Sequence, residues 1–231
     1  MATFNGRQQG YLEGARRNVP GLDSLHRMTG LLLAERAPAA GRILVIGAGG
    51  GPELKALAEQ QPSWTFDGID PSTDMLELAL ETLGELAERI TLHRGDIAVA
   101  PDGPFDGAVC LLVFHHISLE QRKTTLAGIH RRLRPGAPLV LAHVSVPLDE
   151  PAYSTWIERH IEYGADSQVD PERRNAARNA IREKTSITSP ENEQALLQDA
   201  HFTDVTQFYQ AFSFRGWVCL LYTSPSPRDL S

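Results

Sequence analysis

The chain has 231 residues, 42% of them hydrophobic, and a formal net charge of −7. This length favours one large core over two small ones, and the negative charge argues against a surface shaped as a whole for nucleic acid. Residues 1–7 lack the apolar run of a signal peptide, and the longest apolar run, residues 108–114, is too short to span a bilayer. We therefore expect a single cytoplasmic domain without a membrane partner.

Helix and strand patterns alternate along the first two thirds of the chain. Leu25, Met28, Leu32 and Leu33 recur at helical spacing ahead of an apolar strand at residues 42–46. The elements predicted after it are helices at 52–61, 72–83 and 118–134 and strands at 65–69, 90–92, 109–113 and 139–146. Alternation of this kind predicts an α/β fold, with a mostly parallel sheet covered by helices on both faces.

The last third of the chain has a different pattern. It reads as three helices, at residues 151–164, 171–184 and 190–200, followed by strands at 205–209 and 212–218. Only two residues separate these last strands, so we expect them to form an antiparallel hairpin.

The two cysteines indicate no disulfide framework. Cys110 lies inside an apolar strand pattern, where a reduced, inert thiol is the ordinary interpretation. Cys219 opens a stretch, residues 219–229, that looks like one translated reading frame of a sequencing-library adaptor. We therefore expect the native sequence to differ after Val218 and residues 219–231 to be a non-native tail.

A glycine turn follows the first strand, where the chain reads Gly47-Ala48-Gly49-Gly50-Gly51 before a helix that begins at Pro52. Missing side chains let a ligand lie against this backbone, and the helix N-terminus offers free amide donors. A nicotinamide fingerprint would carry a third glycine where this chain has Pro52, whereas Gly-x-Gly-x-Gly fits the turn that holds the methionine part of S-adenosylmethionine. A tight turn without any ligand is the alternative.

Two aspartates follow the next two strands. Asp70 stands nineteen residues after Gly51, where its carboxylate is placed to accept both ribose hydroxyls. Asp96 follows the third strand, where it can accept from an adenine amino group while Ile97 covers the ring. The alternatives are a helix-capping role for Asp70 and a turn role for Asp96.

These motifs resemble those of the class I S-adenosylmethionine-dependent methyltransferases, as do Phe105-Asp106, Leu111-Leu112 and the residues from Leu133 to Gly136. The resemblance implies a three-layer Rossmann-like fold whose seven-stranded sheet has the order 3-2-1-4-5-7-6 with an antiparallel last strand. It implies S-adenosylmethionine as cofactor, and the binding residues that we assign to it are Arg17, Gly47, Ala48, Gly49, Gly51, Asp70, Pro71, Met75, Asp96, Ile97 and Leu111.

One departure from that family lies on the first strand. The acid that often stands two residues before the first glycine is Val45 here. The methionine amino group is therefore left to backbone carbonyls around Gly47 and Leu111.

A narrower resemblance covers most of the chain up to Val218. Residues 17–21 and 208–214 are similar to the carboxy-S-adenosylmethionine synthase branch, which serves wobble-uridine modification of tRNA, and to its methyltransferase relatives. Arg178 falls close to the position of that branch's carboxylate-binding arginine. Leu111 departs from the branch, which carries a polar residue there.

Several residues are candidates for the acceptor side of the site. His115 and His116 follow the fourth strand and either take a proton from the acceptor or form hydrogen bonds at a helix entrance. No third ligand stands at recognisable spacing, so we expect no metal. The arginines at 174, 178 and 182 share one helix face, which is either solvated or a site for an anionic acceptor. Arg215 is a further, weaker substrate-binding candidate.

The sequence thus predicts one domain over residues 1–218. Its parts are a helical lid (1–40), a cofactor-binding half (41–147), a helical acceptor region (148–201) and a terminal hairpin (202–218). The predicted activity is methyl transfer to a small-molecule acceptor, with an anionic acceptor as one option and no general nucleic-acid partner. The alternatives are a carboxy-S-adenosylmethionine synthase-like enzyme and a non-catalytic cofactor-binding protein, with a nicotinamide enzyme as a minor one.

Overall fold

The computed structural model describes residues 2–165 and 170–221. Its centre is one sheet with the strand order β3-β2-β1-β4-β5-β7-β6. The strands are β1 Arg42–Ile46, β2 Thr65–Asp70, β3 Ile90–Arg94, β4 Gly107–Leu111, β5 Pro138–Val144, β6 Phe202–Ala211 and β7 Phe214–Leu221. Strands β1 to β5 pair in parallel, and β7 is antiparallel to both β5 and β6. The predicted fold class, sheet order and terminal hairpin are confirmed.

Eight α-helices surround this sheet in the described part of the chain. They are α1 Ala2–Asn18, α2 Leu22–Ala34, α3 Pro52–Gln60, α4 Thr73–Leu83, α5 Leu119–His130, α6 Ala152–Gly164, α7 Pro171–Lys184 and α8 Pro190–Asp199. Local signals explain where several begin: the Met75 backbone N–H donates to Ser72 Oγ (3.3 Å), and Ser118 and Gln121 form a reciprocal capping box. Pro52 stands at the first position of α3.

The two faces of the sheet bury separate apolar clusters. Successive side chains of a strand point to opposite faces, so Val45 packs with α2 and α3 while Leu44 packs with α5. All residues of β4 and β5 are buried. These two strands are therefore continuously apolar because helices cover both faces of the sheet.

The fourth strand and the last hairpin differ from their predicted bounds. We predicted a strand at residues 109–113, but β4 ends at Leu111 because Leu112 has a φ of +62°, which breaks the ladder. A short 3-10 helix, Phe114–His116, follows it. In the hairpin the two turn residues are Phe212 and Ser213 instead of 210 and 211.

The last strand runs past the boundary predicted at Val218. Cys219 and Leu221 are buried in β7, and the Leu221 N–H donates to the Ala137 carbonyl (3.0 Å). Residues 222–231 of the predicted tail lie outside the described residues, and a non-native origin for 219–231 stays a prediction. Across residues 2–165 and 170–221, no helix has the length and apolar character needed to cross a membrane.

His26 makes the stability of this fold depend on pH. It lies on α2 and is 5% exposed, and burial lowers its pKa from the ordinary 6.5 to about 4, with the charges of Asp23 and Arg16 acting in opposite directions. Between these two pKa values the unfolded chain binds more protons, so the free energy of unfolding falls as the pH falls.

When the pH falls from 7 to 5, we expect the free energy of unfolding to fall by about 2 kcal/mol less in His26→Gln than in the wild type. Urea unfolding at both pH values measures this loss. The matched control is Leu31→Gln, at an exposed position of the same helix, which removes no titratable group and should leave the pH dependence as it is in the wild type. An equal pH dependence in the His26 variant and the wild type would contradict the assignment.

Candidate functional site

The loop from Gly47 to Gly51 joins β1 to α3 at the carboxyl edge of the sheet. Gly47 and Gly49 have φ values of +74° and +48°, which favour glycine. A Cβ atom on Gly47 would also lie only 2.1 Å from Val113 Cγ2. The N–H groups of Gly47 and Ala48 both donate to the Ile69 carbonyl at 2.8 Å, so the loop is held against the end of β2.

Asp70 connects this loop to the two segments beside it. Its Oδ2 accepts from the Gly49 N–H (3.0 Å) and its Oδ1 from the Ser72 N–H (2.9 Å). Its main-chain carbonyl accepts from the Gly95 N–H (3.1 Å), next to Asp96. A carboxylate oxygen accepts more than one hydrogen bond, so Asp70 can hold the loop and still accept ligand hydroxyls. The structure therefore brings the three predicted motifs together.

Asp96 begins the turn after β3. Its Oδ1 accepts from the Ala98 N–H (2.8 Å) and caps a short 3-10 helix, as the turn alternative predicted, while its exposed carboxylate also remains accessible to a ligand. Ile97 is only 3% exposed and packs closely against Gly128 of α5. Little of the Ile97 side chain is left for an adenine ring, and that contact stays a prediction.

The remaining predicted cofactor residues border the loop to different degrees. The Met75 methyl group lies 3.7 Å from where a Cβ atom on Gly49 would stand, and Pro71 is exposed at the end of β2. The Leu111 side chain is buried in the core, so only its backbone is suited to the predicted role. Leu112, the next residue, lines a cavity instead.

Tyr11 of α1 lies on the glycine loop, although the sequence did not single it out. Its hydroxyl would be 3.2 Å from a Cβ atom on Gly49, and its ring 2.9 Å from one on Gly50. Burial and the charge of Glu53 raise the pKa of Tyr11, so its O–H group stays available as a donor. The only sequence signal is the spacing of Tyr11, Ala15 and Asn18 on one helix face.

A cavity of about 610 Å³ opens beside the loop, beyond the carboxyl ends of β4 and β5. Helices α1, α6 and α7 contribute its other walls. Most of its lining is apolar, and the main contributors are Val19, Leu112, Val144, Ile157, Ile161, Ile181 and Phe214. Polar side chains are fewer: Tyr11, Asn18, His115, His116, His160, Arg174 and Thr185.

Three histidines therefore face one apolar cavity. Burial, followed by the neighbouring His116, His143 and His160, lowers the pKa of His115 well below its usual value. Burial also lowers the pKa values of His116 and His160. His160 Nδ1 forms a 2.5 Å hydrogen bond with Ser213 Oγ. The sequence did not indicate His160, because it is one polar residue between apolar positions of α6. All three rings are neutral at neutral pH.

The arginine face of α7 is paired with acids on and before α6. The pairs are Arg174 with Glu162 (2.7 Å), Arg178 with Glu158 (2.5 Å) and Arg182 with Glu150 (3.8 Å). The face is thus neither simply solvated nor an open anion site, because each charge has a partner on a neighbouring segment. Of these arginines Arg174 lines the cavity, whereas Arg178 lies outside its lining.

Arg17 and Arg215 are also placed away from the cavity lining. Arg17 is exposed in the last turn of α1, about 130° around the helix from the face that carries Tyr11 and Asn18. Arg215 is buried on β7 with its guanidinium 5.6 Å from the Trp156 ring. Their predicted contacts with cofactor or substrate stay predictions.

A buried polar network supports the turn that carries His115. Arg122 of α5 is ion-paired with Glu193 of α8 and donates from Nε to the Phe114 carbonyl (2.9 Å). His143 Nε2 lies 3.1 Å from Glu193 Oε1. Burial raises the pKa of Glu193, but His143 and Arg122 outweigh it and the net shift is downward. Removing one partner would leave a buried charge unpaired, so the network fixes this turn firmly.

Comparison with known proteins agrees with this architecture. Residues 44–139 match the family model of a methyltransferase domain. Residues 44–139 thus carry a methyltransferase domain, on a fold shared with S-adenosylmethionine-dependent methyltransferases.

Two curated relatives illustrate the similarity of this chain to known proteins. A carboxy-S-adenosyl-L-methionine synthase of Chromohalobacter salexigens is 28% identical, over 88% of this chain and 77% of the relative. An uncharacterized methyltransferase of Anoxybacillus flavithermus is 32% identical, over 50% of this chain and 52% of the relative.

Solved structures share the fold at low identity. Human N-acetylserotonin methyltransferase, solved with S-adenosylmethionine, superposes with a TM-score of 0.59 and 15% identity, over 87% of this chain. The pyocyanin biosynthetic protein PhzM gives a TM-score of 0.59 and 16% identity, over 79% of this chain. The chain spans about half the length of these two proteins (54% and 50%).

The residues at the carboxyl edge fit S-adenosylmethionine as the cofactor. The glycines of the loop place no side chain between its backbone and Tyr11 or Asp70, and the Asp70 carboxylate is suited to ribose hydroxyls. Within residues 2–165 and 170–221, no three metal-ligating side chains cluster closely enough to hold an ion.

We expect Asp70→Ala to weaken S-adenosylmethionine binding by about 1–3 kcal/mol, because charge-assisted hydrogen bonds to the ribose are lost. Calorimetric titration measures the change. Asp74→Ala, an exposed acid in the first turn of α4, is the control and should bind like the wild type. Unchanged affinity in the Asp70 variant would remove this residue from the site.

Proposed function

We propose that this chain transfers a methyl group from S-adenosylmethionine to a small, uncharged and largely apolar acceptor bound in the 610 Å³ cavity. The observation that carries the proposal is the position of that cavity. Tyr11 both lines it and lies on the glycine loop, so the cavity and the cofactor loop share a wall. A cytoplasmic location and the lack of a general nucleic-acid partner stay predictions.

Adjacent sites of this kind suit a displacement reaction. S-adenosylmethionine supplies a methyl group on a sulfonium sulfur when it is bound. The chain's contribution is then to hold an acceptor in line and at contact distance, which supplies a large share of the rate enhancement. Apolar walls from α6, α7 and β5 exclude competing water.

The charges around the cavity favour an uncharged acceptor. Its histidines are neutral, and Arg174 is already paired with Glu162, so an anion would find no free cation among the described lining residues. Burying an unpaired charge in such a cavity is costly. The anionic acceptor considered from the sequence is therefore the less favoured option.

His115 is the residue that we propose as hydrogen-bond partner and proton acceptor for the acceptor molecule. Its ring is buried at the cavity wall, and its Nδ1 makes no hydrogen bond with the part of the chain that the structure describes. A buried nitrogen without a partner is costly unless a ligand satisfies it. Since burial and its neighbours lower its pKa, the ring is neutral at neutral pH and can offer one nitrogen as a hydrogen-bond acceptor.

The test uses methyl-labelled S-adenosylmethionine and the small-molecule fraction of a bacterial extract. We expect the wild type to move label into that fraction, as followed by mass spectrometry. Ile181→Trp places a bulky ring in the cavity wall and should abolish transfer while cofactor affinity, measured by calorimetry, changes less than about twofold.

Two results would contradict the proposal. Label transfer that Ile181→Trp does not reduce would place the acceptor elsewhere. Tight cofactor binding with no transfer to any fraction would favour the non-catalytic alternative.

A carboxy-S-adenosylmethionine synthase-like activity is the second candidate. It is favoured by relatives of that name, two of which align over 88% and 89% of this chain, at 28% and 25% identity. Against it, Arg178 is paired with Glu158 and contacts Asn175, so it is not a free cation for a carboxylate beside the sulfonium.

We expect Arg178→Met to leave the affinities for S-adenosylmethionine and for its carboxylated form unchanged, because this arginine joins two helices. Calorimetry with both ligands measures this, and Arg182→Met on the same helix face is the control. Selective loss of the carboxylated ligand, by several-fold in Arg178→Met alone, would move the function to the synthase-like alternative.

A further inference from the structure

Glu53 is a buried acid whose role the fold does not explain. It is the second residue of α3, directly behind the glycine loop, and only 8% of it is exposed. Its Oε1 is fully buried and has no hydrogen-bond partner within the described residues. Burying a carboxyl oxygen without a partner is costly, so some compensating group is expected.

Among the described residues, the groups that interact electrostatically with Glu53 are protic or acidic. Tyr11 of α1 and Asp70 at the end of β2 interact electrostatically with it, and so does Cys110 of β4. None of these can carry a positive charge. Burial first, and then the charge of Asp70, raises the pKa of Glu53 well above its usual range. The local field therefore favours a positive charge from outside the protein.

The end of β1 lacks an acid that could hold such a charge. Val45 and Ile46 precede the loop, and the Val45 side chain lies in the apolar core between the sheet and α3. Glu53, in contrast, follows the loop and interacts with Tyr11 and Asp70. Asp70 accepts a hydrogen bond from the Gly49 N–H, and Tyr11 lies next to Gly49.

We propose that Glu53 accepts a hydrogen bond from the ammonium group on the methionine part of S-adenosylmethionine. The proposal rests on the cofactor use proposed above. Pairing with the ammonium satisfies the orphaned Oε1 and restores a charge partner in a buried place. Glu53 is then a binding residue, and Tyr11 closes the same corner from the lid helix.

A purely structural role for Glu53 makes a different prediction. An acid in the first turn of a helix stabilises that helix through its dipole, and its loss would lower the stability of the ligand-free protein. If Glu53 instead serves to bind a ligand, the ligand-free Glu53→Gln variant should have a melting temperature equal to or above that of the ligand-free wild type.

The experiment compares three ligands by calorimetry on Glu53→Gln and the wild type. S-adenosylmethionine and S-adenosylhomocysteine both carry the ammonium group, whereas 5′-methylthioadenosine carries neither that group nor the sulfonium. We expect Glu53→Gln to bind the first two at least tenfold more weakly and methylthioadenosine within twofold of the wild type. Glu59→Gln, an exposed acid on the same helix, should change none of the three.

Each other outcome has a definite meaning. Equal losses for all three ligands, or no loss for any, would overturn the role of Glu53. A loss of affinity confined to S-adenosylmethionine would indicate that Glu53 acts on the sulfonium, and it would also overturn the proposed contact with the ammonium group. If Glu53→Gln does not fold, Glu53→Asp takes its place, with a weaker loss for the two ammonium ligands expected. Failure of the wild type to bind S-adenosylmethionine would refute the proposed function itself.

Discussion

The carboxyl edge of the sheet depends on the hydrogen bonds of Asp70. Its side chain accepts from Gly49 and Ser72, and its main chain accepts from Gly95. These bonds form because β1, β2 and β3 are adjacent parallel strands, so their carboxyl ends meet at one edge. One residue thereby fixes the glycine loop, the start of α4 and the approach to Asp96, and its carboxylate is the group that we expect to accept ribose hydroxyls.

Beyond that edge, the structure separates charges from the space for an acceptor. The ion pairs of α7 with α6 lie outside the cavity or at its border, and the Arg122–Glu193 pair lies beneath it. His115 is left at the wall as a neutral ring because burial and its neighbours oppose its protonation. A cavity built in this way favours uncharged molecules, whereas the cofactor edge collects acids that suit a cationic ligand.

The cofactor edge was more predictable from the sequence than the acceptor side. Gly47 and Asp70 stand out in the local sequence, because a positive φ favours glycine and because an acid at the end of the second strand matches a cofactor-binding motif. Tyr11, Glu53 and His160 do not, since each is one polar residue on a helix that has many. They reach the site only through the packing of helices against the sheet.

By itself the sequence determined the order of the elements, the capping at Ser72 and Ser118 and the place of the glycine loop, because these depend on residues a few positions apart. Only the tertiary structure decided that Arg178 meets Glu158, twenty residues away, instead of facing a ligand. It also decided that Glu53 is buried with its Oε1 lacking a hydrogen-bond partner in the part of the chain that the structure describes. Burial and ion pairing depend on which distant elements pack together, and no local pattern records that choice.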